Sequence, residues 1–335
     1  MFELNRITAV IAKAVGTAAL AATFGLSPLA SQAKDWPTRP LTFVVPFDSG
    51  GSADRMARGL AEHMSPRLGV PIQVVNRPGG AGALGATWFQ QQPDDGSHVM
   101  VMQATPYLAS AILVSGAPVK WSDFELLNAQ WNDYGIVAVN KDSPYKTLGD
   151  LITALKEPGK VSSGIIVGNG GHIQTMAILD ALKVSPKNVR FVTYSGGAPL
   201  RTALAGNQVD FEILAAEAAE PIRDRIRVLA VVNETDPGNW GAPLLNEALK
   251  QQSIEAVPLV GGNVTGPIVH ASMKKSHPDR YKILLDAYRE TVQSPEYQEW
   301  AKKANMGADW VGPEKSQALV DSAYETLTRY ASELK

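Results

Sequence analysis

The feature that most restricts the fold is a junction that occurs three times: an apolar run, a Ser/Asn-Gly-Gly turn, then an amphipathic helical stretch. It is clearest at residues 42–54. There Phe43-Val44-Val45 reads as a buried strand, Pro46 breaks it, and Asp48-Ser49-Gly50-Gly51 turns the chain. Ala53, Met56, Ala57, Leu60, Met64 and Leu68 then follow helical spacing. Asn169-Gly170-Gly171 and Ser195-Gly196-Gly197 repeat the device after the strands read at 161–167 and 189–193. A strand that feeds a helix start leaves the first backbone N–H groups converging on one point, with the positive end of the helix dipole behind them. Any one junction is either an anion receptor or a plain tight turn, and its residues leave both open. Three of them, at the carboxyl ends of strands, fit a cleft lined by several helix N-termini. The Lys-Ser/Thr of a nucleotide phosphate loop is absent, because Ser52-Ala53 follows the first turn.

The rest of the chain keeps the same alternation. Strands are expected at 71–76 and 98–102, with helices at 84–92 and 107–113 and a polar turn over Gln103-Ala104-Thr105-Pro106. A second block starts at the strand 136–139, followed by a helix capped near Thr147 and carrying Leu151, Ile152 and Leu155. It ends with strands at 208–214 and 227–232. Residues 233–262 read as irregular, and helices close the chain at 281–292, 295–304 and 313–334. Strands alternating with helices across short Gly/Pro turns predict doubly wound, mostly parallel sheets.

Arg6 and Lys13 ahead of a small, apolar run to Ala30, then Ser31-Gln32-Ala33, read as a secretory signal peptide over residues 1–33, cut after Ala33. With no cysteine in the chain, lipid anchoring through a thioether is excluded, and export here goes without disulfides. The formal charge of −2 falls to about −3 once Glu3, Arg6 and Lys13 leave with the leader. No basic block interleaves with aromatics, which argues against nucleic acid or an anionic membrane as partner.

Catalytic and cofactor signatures do not appear. Gly80-Ala81-Gly82-Ala83-Leu84-Gly85 matches a dinucleotide fingerprint in form only. Arg77-Pro78 separates it from its strand, and no acidic residue ends a following strand, so a strand-to-helix turn is expected and no cofactor. The five histidines stand in no metal-binding spacing and no cysteine could join them, so no metal is expected. No nucleophile elbow occurs and no enzyme activity is expected. His172 follows Gly170-Gly171 at a helix start, where it is either a donor to an anion or a capping side chain. Arg77, Arg190 and Arg201 lie near turns and offer carboxylate clamps, although most arginines in such places are solvated.

Trp36-Pro37-Thr38-Arg39-Pro40, Pro46 through Asp54, Val75-Asn76-Arg77-Pro78-Gly79-Gly80 and Pro93-Asp94-Asp95-Gly96 together carry a likeness. It continues through Tyr194-Ser195-Gly196-Gly197-Ala198-Pro199 and Gly206-Asn207-Gln208-Val209-Asp210. The chain resembles the extracytoplasmic solute-binding receptors of tripartite tricarboxylate transporters, the Bug-type receptors, over nearly all of its mature length. The resemblance implies a two-lobed α/β periplasmic binding protein of type II-like build. Lobe 1 would comprise residues 34–135 plus 233–335, and lobe 2 residues 136–232. It also implies a ligand-binding set of Phe47, Asp48, Ser49, Gly50, Gly51, Ser52, Ala53 and Asp54 from the first loop. Gln103 and Thr105 join this set, as do Asn169, Gly170, Gly171 and His172, and Ser195, Gly196, Gly197 and Ala198. The expected ligand is a small di- or tricarboxylate, citrate-like. The expected protein partners are membrane transporter subunits of the tripartite tricarboxylate type, with the receptor itself a monomer in the periplasm. A sensor for a two-component kinase, or an enzyme on the same scaffold, is the alternative.

Two departures from the family's pattern bear on the ligand. Asp48 stands where members often have Pro or Ala, and a carboxylate there weakens an anion site unless it points away or pairs. Near the second-lobe strand end, where many members carry a polar or acidic selector, this chain has Leu214 and Ala215 with Glu217 nearby, which disfavours a ligand with an amino group. Valine at Gly51 or at Gly171 is expected to abolish binding without unfolding the protein.

Overall fold

The computed structural model describes residues 36–331 except Ser195 and Gly196. The expected leader and its cleavage point lie outside these residues, as do Ser195, Gly196 and the last residues of the final helix. The chain opens with β1 (Leu41–Val45), α1 (Ser52–Leu68), β2 (Ile72–Asn76), α2 (Ala83–Gln90), β3 (His98–Thr105) and α3 (Tyr107–Leu113). Two short strands follow, β4 (Phe124–Leu126) and β5 (Trp131–Asp133). The chain then builds a second set: β6 (Gly135–Asn140), α4 (Leu148–Leu155), β7 (Val161–Ile165), α5 (Gly170–Ala181), β8 (Val189–Thr193), α6 (Gly197–Ala205), β9 (Phe211–Ala215), α7 (Ala216–Ala219) and β10 (Ile226–Val232). It closes with α8 (Leu245–Gln251), β11 (Asn263–His270), α9 (Met273–Ser276), α10 (Pro278–Val292), α11 (Pro295–Lys303) and α12 (Pro313–Ala331).

The result is a two-lobed α/β molecule with one sheet in each lobe. The first sheet runs β2-β1-β3-β11-β4 with β5 also on β11, and the second runs β10-β6-β9-β7-β8. The sheets are mixed rather than mostly parallel. β11 enters its sheet antiparallel to β3, β4 and β5, and β6 runs antiparallel to both β9 and β10. Parallel pairing is kept where the βα alternation continues, at β1–β2, β1–β3, β7–β8 and β7–β9. Phe43, Met56, Leu60, Tyr288 and Tyr297 are buried in the first core. Val137, Val161, Ile173, Phe211 and Ile213 are buried in the second.

Two local outcomes differ from the expectation. Gln103 and Thr105 are not in a turn: β3 continues through them because Thr265 and Val264 of β11 pair with them. Residues 233–262 contain α8, whose Leu245, Ala248 and Leu249 pack in the second core with α4 and β10. The glycine fingerprint is a packed turn, since a Cβ on Gly85 would come within 2.7 Å of Pro46. The capping expected near Thr147 is present: its hydroxyl accepts the Asp150 N–H at 3.2 Å, and the Asp150 carboxylate accepts the Thr147 N–H at 2.9 Å. Among the described residues no helix is long and apolar enough to cross a membrane.

Candidate functional site

A cavity of about 810 Å³ opens between the two sheets. Its lobe-1 wall is the start of α1. Gly51 is the N-cap residue and carries no capping side chain, so the first-turn N–H groups are left for a ligand. Gly50 holds a φ of +84°, which favours glycine at this turn. The turn is pinned from behind by Asp54. This buried carboxylate accepts the Gly50 N–H at 2.8 Å, Asn76 Nδ2 at 3.0 Å, and both Nε and Nη2 of Arg58 at 3.0 Å. Asn76 also donates to the Phe47 carbonyl at 3.0 Å, so one small network holds both ends of the loop. Burial alone would raise the Asp54 pKa, but the bonds from Arg58, Gly50 and Asn76 and the charge of Arg58 outweigh it and hold the carboxyl below its ordinary value.

The floor comes from the first sheet. Gln103 and Trp131 both pair with Thr265, and Asp133 pairs with Asn263, so the period of two brings Gln103, Trp131, Asp133 and Asn263 to one face. Gln103 donates Nε2 to Ser52 Oγ at 3.0 Å, while its Oε1 is buried without a partner among the described residues. Asp133 is buried and accepts the Glu217 N–H at 3.4 Å. Burial, and then the charge of Glu217, push its carboxyl up to about 7.

The facing wall is the start of α5 with α6 and the end of β9. Asn169 caps α5 by accepting the His172 N–H at 2.8 Å, which leaves the Gly170 and Gly171 amides at the cavity. One turn into α6, the half-buried guanidinium of Arg201 also lines the cavity and makes no hydrogen bond or ion pair among the described residues. The lobes meet beside the site, where the Ser110 hydroxyl of α3 donates to the Gly168 carbonyl.

Of the residues expected from sequence, Gly50, Gly51, Ser52, Gln103, Asn169, Gly170, Gly171, Gly197 and Ala198 line this cavity. Seven others do not, each for a physical reason. Asp48 and Ser49 are exposed and do not line the cavity. Phe47 packs edge-on against Tyr107 at 5.6 Å, and Ala53 faces the core. Asp54 points back into its own loop, and Thr105 is buried in β3. His172 turns inward: its Nδ1 accepts the Gly168 N–H at 3.2 Å and its ring meets Phe191 edge-on at 5.0 Å. Burial lowers its pKa to about 4, so the ring is a neutral brace, and it does not line the cavity. Gly171 serves packing as much as binding, because a Cβ there would lie 2.0 Å from the Ile213 carbonyl oxygen. Arg77 stacks on Trp88 at 4.6 Å and Arg190 lies 3.9 Å from Asp210, so only Arg201 of the three arginines reaches the cavity. Tyr107, Trp131, Asp133 and Asn263 were not expected. Among the described residues no group of three or more carboxylate or imidazole side chains could hold a metal.

The family model for the tripartite tricarboxylate transporter family receptor matches residues 56–332. It begins inside α1, so the turn before it rests on the geometry above. A UPF0065 protein in the gbd 5′ region of Cupriavidus necator is 29% identical over 323 residues, covering 94% of this chain and 93% of the relative. Two solved structures share the fold. R. palustris Rpa4515 with adipate superposes with a TM-score of 0.69 at 23% identity, covering 89% of this chain and 99% of the other. MatC (Rpa3494) from Rhodopseudomonas palustris with bound malate gives 0.68 at 22% identity, covering 90% and 100%.

Proposed function

The chain belongs to the tripartite tricarboxylate transporter receptor family, and on that premise we propose that it is a periplasmic receptor whose lobes close on a small organic carboxylate and deliver it to membrane subunits of that transporter type. One observation carries the reading. The free amide turns at the starts of α1 and α5 and the unpaired guanidinium of Arg201 face a single cavity between the lobes. Amides, a helix dipole and a bidentate guanidinium suit a planar carboxylate and need no reorganisation to receive it. The adipate and malate in the two neighbours are carboxylates of the class proposed here. Binding is reversible, with no catalytic step, and the mature monomer begins after Ala33. We place the lobe crossings near residue 134 and near residues 260–262, where the chain passes between β5 and β6 and then into β11. The ligand site comprises Gly50–Ser52, Gln103, Asn169–Gly171, Gly197, Ala198 and Arg201.

The citrate-like expectation rested on several anion turns acting together. Asp133 and Glu217 line the same cavity and disfavour an ionised ligand carboxylate beside them, which leaves the amide turns and Arg201 as the place for one. A thermal-shift screen of the mature protein decides among di-, tri- and aromatic carboxylates, amino acids and phosphate. A ligand at one hundred times its Kd adds about 2.7 kcal/mol of stability. A shift with carboxylates is expected; shifts confined to phosphate or to organic cations would refute the reading.

A further inference from the structure

The cavity has two poles of opposite character. One is built of amides and Arg201. The other is built of Asp133 on β5 and Glu217 at the start of α7, and both of these carboxylates line the cavity. Asp133 is 5% exposed and makes no ion pair among the described residues; burial and the charge of Glu217 act against its ionised form, and the backbone amides of Glu217, Tyr134 and Ala216 act for it. The charges bearing on Glu217 are Asp309 and Glu220, again both acidic. Arg55 lines the same cavity, but its guanidinium donates to the Ala304 carbonyl at 3.2 Å, and neither it nor Arg201 is ion-paired with Asp133 or Glu217, so a positive group from outside relieves the two carboxylates.

A second observation on the same floor points to a ligand. Gln103 is 8% exposed and lines the cavity; its Nε2 donates to Ser52, and its buried Oε1 has no hydrogen-bond partner among the described residues. A side-chain amide left half-satisfied in this way costs stability unless a bound group completes it. It sits in one row with Thr265 and Trp131, next to the row that holds Asp133 and Asn263, so a single small molecule on this floor reaches both.

From this juxtaposition we infer that the ligand is zwitterionic: a small aliphatic amino carboxylate whose carboxylate lies on the amide turns and Arg201, and whose ammonium lies between Asp133 and Glu217. This rests on the receptor reading above and narrows it. It also reverses the expectation drawn from Leu214 and Ala215, because the acidic selector comes from the first sheet and not from the end of β9. A metal ion bridging a carboxylate ligand to the same pair is the competing occupant, and the shortage of donor groups disfavours it.

The test uses matched probes on the mature chain by titration calorimetry: 4-aminobutyrate against butyrate, and glutamate against glutarate, each pair sharing one carbon skeleton. The ammonium-bearing member of at least one pair is expected to bind tenfold or more tightly than its partner. Glu217→Gln, at an exposed position, is expected to cut that preference at least fivefold while leaving the melting temperature in place. Asp133→Asn should do the same; thermal melts report whether loss of its bond to the Glu217 amide disturbs α7. Equal or tighter binding of butyrate and glutarate overturns the inference and leaves the receptor reading standing. Binding that disappears with EDTA overturns it in favour of a bridging metal. Failure of all four probes, with other carboxylates also inert in the screen, overturns both.

Discussion

Glu212 offers the most quantitative test of this structure. It lies on β9, fully buried, and neither carboxylate oxygen has a hydrogen-bond partner among the described residues. Its Oε1 fills the space beside Gly164, where a Cβ would approach to 2.3 Å. Burial pushes the carboxyl from its ordinary value of 4.5 up to about 9, with the charge of Arg201 pulling weakly the other way. Between those two values the folded protein keeps a proton that the unfolded chain has released. Raising the pH therefore favours unfolding, by about 1.4 kcal/mol per pH unit from this one group. Glu212→Gln keeps the shape and cannot titrate. The variant should match the wild type near pH 4.5 and exceed it by about 3 kcal/mol at pH 7. The gap should widen further to about pH 9 and then level off. Urea unfolding of both proteins at pH 5, 7 and 8.5 measures the difference directly. A difference that stays constant with pH, or grows toward acid, would refute the argument that Glu212 is protonated in the folded state.

The same reasoning sets the remaining expectations. Gly51→Val should fold normally, since a Cβ there meets nothing nearer than the Asp48 carbonyl at 3.7 Å, yet weaken the binding of any carboxylate that shifts the melt by tenfold or more; unchanged affinity in calorimetry would move the site. Gly171→Ala, by contrast, should lower stability by about 3 kcal/mol because the new methyl collides with the Ile213 backbone, and a wild-type urea midpoint would contradict that packing. Arg201→Ala should raise the Kd for a carboxylate ten- to a hundredfold, in line with the loss of about 1.5–3 kcal/mol from a charged hydrogen bond; an unaltered Kd would remove Arg201 from the anion pole. Asp54→Asn should cost about 2 kcal/mol at pH 7, discounting the half-exposed Arg58. Asp54 has a lowered folded pKa, so its contribution is present above the ordinary value of 3.8 and fades as the pH falls through the folded value; a deficit that persists undiminished at pH 2 would assign the cost to shape and not to charge.

What was legible in the sequence divides along the range of the interactions that set each element. α3 at residues 107–113 and β8 at 189–193 come out to the residue, because their own apolar and β-branched residues and the turn residues that flank them mark each element. β4 and β5 have three residues each, too few to show any period. They exist because β11, arriving more than a hundred residues later, pairs with them. The mixed direction of the sheets has the same cause, since nothing near β11 says that it will run antiparallel to β3. The candidate site splits the same way. Gly50–Ser52 and Asn169–Gly171 are local turns and were readable as such. His172 was misplaced because adjacency to a glycine turn fixes where a side chain starts and not which way it points; Phe191, on the neighbouring strand, draws it inward. For Arg201 a sharper reading was available. Helical side chains lean back toward the N-terminus, so a residue four after Gly197 lays its head over that turn, and Arg201 Nη1 would lie 3.1 Å from a Cβ on Gly197. Arg77 precedes a Pro-Gly-Gly turn and Arg190 lies within a strand, and neither has that geometry. Asp133 is the opposite case: no window around it contains a signal, and it enters the cavity because Asn263 is its partner in the sheet. A selector placed by long-range register is invisible to a reading that looks for it at the end of a strand in the other lobe, which is why the sequence argued against an amino-bearing ligand and the fold argues for one.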